Sequence, residues 1–231
     1  MARVFTKNMF VILLSIMIGA VIITYFVGDI MYQSNIRSLT TEHTAEIETI
    51  TGKNINFTNN FLKSSVLLDA AREDRAFGNY HFDLAFLWYT SALVEKNVTI
   101  MEVHKTRTID NCTEAMPNYI NSHNNFLEAK KSFTDTKTYT TYNKYLEVLD
   151  LYVGLTGSGA KLTLLRYNAS QYLKILSENL TFIGGNVTYL GDMSEFLLLF
   201  NQTMGMYAGE LAIFEEFQEE IDEYEFFDEI R

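Results

Sequence analysis

Residues 9–27 (MFVILLSIMIGAVIITYFV) form nineteen consecutive positions without a charge. At 1.5 Å per residue, a helix of that length crosses a hydrocarbon core about 30 Å thick. Arg3 and Lys7 precede the run, Asp29 follows it, and the next base is Arg37. Basic residues stay on the cytoplasmic side, so the pattern predicts a cytoplasmic N-terminus with the bulk of the chain outside. The chain then divides into a short cytoplasmic N-terminus (1–8), a transmembrane helix (9–29), a helical stalk (30–55) and an extracytoplasmic helical domain (56–231). A cleaved signal peptide is the competing interpretation. Its best small-residue site, Ile18-Gly19-Ala20, puts a bulky residue first and would leave seven more apolar residues on the mature end. The expectation is an uncleaved, single-pass anchor in the cell membrane.

The distribution of glycosylation sequons points the same way. Asn-x-Ser/Thr occurs at Asn56, Asn97, Asn111, Asn168, Asn179, Asn186 and Asn201, all beyond the apolar run. The Asn, Ser and Thr content would give roughly three such triplets by chance, so seven predicts an N-glycosylated outer domain. Cys112 is the only cysteine, which excludes an intrachain disulfide and leaves a shielded thiol or an intermolecular bridge. The combination of N-terminal anchor, sequons and missing disulfides resembles the architecture of archaeal surface proteins.

The outer part reads as helices. Residues 30–55 carry a thin apolar stripe (Met31, Leu39, Ile47, Ile50) and predict a helical stalk frayed near Thr51-Gly52. Phe57, Phe61, Leu68 and Ala71 share one helix face running to about residue 76, with Gly78-Asn79 as an interruption. Residues 84–93 (LAFLWYTSAL) are apolar nearly all round and predict the most buried helix. A less regular helix is expected over 99–115, with Pro117 in the first turn of the next. Tyr142, Tyr145, Leu146, Leu149, Tyr152 and Val153 keep a helical period, as do Leu162, Leu165, Ala169, Tyr172, Leu173 and Leu176. Residues 154–159 (GLTGSG) between them predict a hinge, Gly184-Gly185 a second break, and 189–230 a final long helix. Strand signals are nearly absent, so the fold class is all-α, a helical bundle or stacked helical hairpins.

Catalytic and metal motifs fail on spacing. None of His43, His81, His104 and His123 belongs to an H-E-x-x-H or Glu-x-x-His set. The glycine-rich stretch ending at Lys161 has Ala160 where a phosphate-binding loop needs the lysine. No G-x-S-x-G is present. The expectation is a protein that is not an enzyme and takes no cofactor. A pI of 4.8 argues against nucleic acid.

Two constellations remain. Arg72 and Arg75, three apart on one helix face, with Tyr80 and His81 beyond them, make a candidate ligand cleft. The last 22 residues hold ten acids and one base, nearly all of the chain's net charge of −11. Along them Phe214, Phe217, Ile221, Tyr224 and Phe227 form an apolar stripe, a candidate partner-docking face whose acidic back could take divalent cations. The functional expectation is a membrane-anchored glycoprotein acting through protein–protein contacts, as an accessory or structural subunit of a membrane or cell-surface complex. Its partners would be the lipid bilayer through 9–29 and another protein or a second copy. The alternative is a small-ligand-binding outer domain that signals through a partner. It resembles the helical sensor domains of chemoreceptors in having long helices after an N-terminal span.

Overall fold

A computed structural model describes the backbone of residues 2–224 and the side chains of residues 31 and 34–224. Its elements are α1 (Ala2–Val94), α2 (Val98–Thr136), a 3-10 turn (Lys137–Tyr139), α3 (Asn143–Glu178), β1 (Leu180–Ile183), β2 (Asn186–Tyr189) and α4 (Ser194–Asp222). The chain forms two compact units, 1–53 and 54–231. Among the described residues no helix is long and apolar enough to cross a membrane. The segment expected to do so, residues 9–29, lies outside the residues whose side chains are described.

In the first unit the described side chains from 34 to 51 are all exposed. Helix α1 runs through Thr51-Gly52 without the expected fraying. Its hydroxyls turn inward to their own backbone: Thr40 donates to the Ile36 carbonyl, Thr41 to Arg37, Thr44 to Thr40 and Thr49 to Ala45, each at 2.8 Å. This satisfies polar groups without tertiary contacts.

The second unit is a four-helix bundle with up-down-up-down connectivity, which refines the all-α expectation to one of its two forms. Successive helices are antiparallel neighbours. Ser122 Oγ on α2 donates to the Ala71 carbonyl on α1 at 2.6 Å, and Ser132 Oγ to that of Asn60. His123 Nδ1 lies 2.8 Å from the Ala160 carbonyl of α3. Ser158 Oγ on α3 donates to the Glu210 carbonyl of α4. Phe86 on α1 stacks on Phe200 of α4, closing the ring of four. On α1 the inward positions Phe57, Phe61, Ser64, Leu68, Ala71, Arg75, Gly78, Phe82, Ala85, Tyr89 and Ala92 alternate in steps of four and three, the spacing that keeps one seam facing its neighbours.

Several expected breaks are absent, for one physical reason. Residues 154–159 lie inside α3 and Gly78 inside α1. A Cβ at Gly154 would stand 2.5 Å from the Phe217 ring, one at Gly159 2.5 Å from Phe126, and one at Gly78 2.7 Å from Tyr119. These glycines are notches that seat aromatic rings. Each costs the helix about 0.5–1 kcal/mol relative to alanine, which burial of a large ring, worth about 1.5–3 kcal/mol, offsets. Pro117 sits inside α2 rather than opening a helix. Residues 84–93 are not the most buried segment: Ala85, Tyr89 and Ala92 face the core, whereas Phe86, Leu87 and Leu93 are exposed.

The all-α expectation is also modified by a hairpin. β1 and β2 pair antiparallel with Ile183 opposite Asn186, and Gly184 and Gly185 form the two-residue turn with φ of 62° and 86°. Positive φ at both turn positions is the geometry that matches the twist of the strands. The hairpin is tied down by the Leu190 N–H to the Asn179 carbonyl and by Lys105 Nζ to that of Leu180. The last helix therefore starts at Ser194 rather than 189, and residues 225–230 of its expected span lie outside the described ones. At the same end Asn97 caps α2, its side chain accepting from the Thr99 and Ile100 N–H groups.

The notches give opposite expectations for one substitution. Gly154→Ala overpacks against Phe217 and should cost about 1–3 kcal/mol, lowering Tm by roughly 2–10 °C. Gly205→Ala, at an exposed helical position with nothing within 4 Å, should raise it by roughly 1–4 °C. Thermal unfolding followed by circular dichroism checks both, and equal shifts would refute the notch.

Candidate functional site

The four cleft residues do not converge. Arg72 Nη2 donates to Gln218 Oε1 of α4, and its Nη1 lies 3.9 Å from Asp69 Oδ1. The Arg75 guanidinium lies 4.3 Å from the Phe214 ring centroid, also on α4. Its Nη1 is buried and has no hydrogen-bond partner among the described residues, and burial pulls the guanidinium below its usual pKa. Tyr80 is exposed, while His81 Nδ1 is 3.2 Å from Asn111 Oδ1 on α2. At 100° per residue Arg75 and Tyr80 point about 140° apart around α1. The arginines serve the α1–α4 packing. Tyr80 and His81 line a separate shallow groove of about 530 Å³ with Glu73, Ala76 and Phe77.

The C-terminal stripe lies within the bundle. Phe214 and Ile221 are buried in the core cluster that includes Leu68, Phe126, Phe133 and Leu149, and Phe217 packs against it over Gly154. Tyr224 donates to Glu147 Oε2 at 2.8 Å. These four contact the chain's own helices, so the stripe as a whole is not an open docking face; Phe227 lies outside the described residues. Behind it Glu147, Asp150, Glu220 and Glu223 line an open groove of about 670 Å³ with Lys144. Among the described residues no three metal-ligating side chains come together.

Arg166, which sequence reading passed over, joins the two halves of the core. It stacks on Phe82 at 4.4 Å and on Tyr207 at 4.1 Å, each from a different core cluster. Its Nε is buried without a hydrogen-bond partner among the described residues, and Asp83 stands 4.0 Å from its Nη1. A guanidinium over aromatic rings can be held where little water reaches it. Close by, the buried Tyr119 hydroxyl donates to Asn79 Oδ1 at 2.9 Å, and burial raises its pKa. The signal available in the sequence was one base amid the apolar run Leu164-Leu165-Arg166-Tyr167.

The sequon asparagines are placed unevenly. Asn56, Asn97, Asn186 and Asn201 are exposed, and Asn111, Asn168 and Asn179 are half-buried. Asn168 and Asn179, expected on one solvent face, are both only partly accessible, and Asn179 Nδ2 donates to the Ile175 carbonyl at 2.8 Å. Cys112 is fully buried in the hairpin-side core.

No protein-family model, curated protein or solved structure matches this chain.

Burial pushes the Cys112 thiol up to about 12. Thiolate therefore stays scarce until the pH approaches that value. At pH 8 alkylation by iodoacetamide should run on the order of 10³-fold slower in the folded chain than in denaturant. A rate within tenfold of the unfolded one would place the thiol at the surface, where an intermolecular bridge could form.

Proposed function

We propose that this protein is a single-pass, membrane-anchored, N-glycosylated extracytoplasmic helical protein. It acts through protein–protein contacts, as an accessory or structural subunit of a membrane or surface complex, and not as an enzyme. The anchor is residues 9–29, with residues 1–8 in the cytoplasm and the bundle outside.

The observation that carries this reading is where the sequons fall on the bundle. No sequon asparagine is in the core. Six of the seven lie at the end formed by the α1–α2 turn and the hairpin. From Asn97 at the start of α2, through Asn168 near the end of α3, to Asn201 early in α4, they fall within about 20 Å of that end. The opposite half has Asn56 alone. It exposes Leu62 and Val66 on α1, Leu127 on α2, Tyr142 before α3 and Ile213 on α4. Glycans block docking where they sit, so although the crowded end also exposes Leu87, Val94, Val98, Ile183 and Leu190, the half with one sequon is where a partner would meet the bundle. The ligand-sensor reading draws no such support, because Arg72 and Arg75 are engaged with α4.

Intact mass spectrometry of the chain extracted from its own membrane tests this. The expected result is a polypeptide retaining residues 1–20 with several glycan increments. Asn56, Asn97, Asn186 and Asn201 should be occupied ahead of the half-buried three. Replacing the sequon Thr99 by alanine should remove one increment. A bare chain, or one cut near residue 20, would overturn the reading.

A further inference from the structure

The stalk carries an internal repeat. Residues 36–43 (IRSLTTEH) and 47–54 (IETITGKN) align at a separation of eleven, Ile on Ile, Leu39 on Ile50, Thr40 on Thr51 and His43 on Asn54. Eleven residues complete three helical turns with about 20° to spare, so these eight positions fall within an arc of about 120° on one side of the helix. Ile36, Leu39, Ile47 and Ile50 are all exposed. The five charged residues between 36 and 54, Arg37, Glu42, Glu46, Glu48 and Lys53, all lie off the stripe.

We propose that this stripe is a seam that pairs in parallel with the same stripe of a second copy of this chain, forming a nearly straight or slightly right-handed coiled coil. An 11-residue period is the repeat with which helices wrap that way, whereas a helix docked on an irregular surface has no reason to keep a period. The stripe also suits a like partner. It holds no Asp, Glu, Lys or Arg, so self-pairing in register sets no such charges against each other and places Ile47 against Ile47 and Ile50 against Ile50. The helix needs such cover. Thr40, Thr41, Thr44, Thr49, Thr51, Ser38 and Gly52 are poor helix formers, and a lone exposed helix of this composition is marginal in water. The proposal deepens the contact reading by naming the partner, and anchoring would enforce the parallel orientation.

Cysteine cross-linking of the full chain in lipid vesicles tests it, since Cys112 is buried and adds little background. Single variants Ile36→Cys, Leu39→Cys, Ile47→Cys and Ile50→Cys are oxidised with copper phenanthroline beside Ser38→Cys, Thr41→Cys and Ala45→Cys on the opposite side of the helix. The expected result is covalent dimer at the first four, forming at least tenfold faster than at the last three. Dimer at all seven at one rate, or at none, overturns the seam, as does a native-membrane adduct whose mass shows a different polypeptide. Each substitution lies on an exposed helix outside the bundle, and an unchanged circular dichroism melt confirms that the fold is intact. Loss of the seam with glycan increments still present removes the second copy as partner and leaves the contact reading standing. Loss of the increments with the seam intact does the reverse.

Discussion

The bundle depends on aromatic rings pressed onto bare helix backbone. Tyr119 lies over Gly78, Phe126 over Gly159 and Phe217 over Gly154, at separations that leave no room for a methyl group. Each contact joins a different pair of helices: α2 to α1, α2 to α3 and α4 to α3. Three rings in three notches thus set the spacing of all four helices, and small buried residues such as Ser64, Ala71, Ser122, Ala129 and Thr163 occupy much of the remaining interface. Buried hydroxyls cost little there because most bond to a carbonyl one turn back, as Thr163 and Ser177 do.

Two arginines enter this interior under aromatic rings. The Arg166 guanidinium lies over the rings of Phe82 and Tyr207, and that of Arg75 over Phe214. Both keep a buried N–H without a hydrogen-bond partner among the described residues. The two apolar clusters therefore meet across guanidinium–ring stacks rather than through a continuous aliphatic core.

Helical periodicity was legible because burial on one face imposes it, and the steps through Phe57, Phe61, Leu68 and Ala71 reappear as the inward seam of α1. The glycines were misread for a reason that sequence cannot supply: what makes Gly154 and Gly159 helical is a ring on another helix, 63 and 33 positions away in the chain. Pro117 was placed at a helix start on the same local logic. The hairpin could have been found, since Leu180-Thr-Phe-Ile and Asn186-Val-Thr-Tyr flank a Gly-Gly pair, a two-residue turn signal between β-prone runs. The C-terminal stripe was legible as amphipathic, but its partner proved to lie within the chain. Arg75 and Tyr80 are close in sequence, but the helical angle between them turns them to different sides of α1.

Asn97 combines two roles in one side chain. Its Oδ1 accepts the first N–H groups of α2, and its Nδ2 is the atom a sugar would occupy. An N-glycosidic amide keeps its carbonyl oxygen, so the cap and the sugar do not compete for an atom. They compete in time. A transferase must reach Nδ2 while the sequon is pliable, before the Oδ1 bonds fix the side chain against the helix end. In a chain synthesised from its N-terminus, Asn97 is made before the α2 N–H groups that it caps, and the order of synthesis itself opens an interval in which the amide is free.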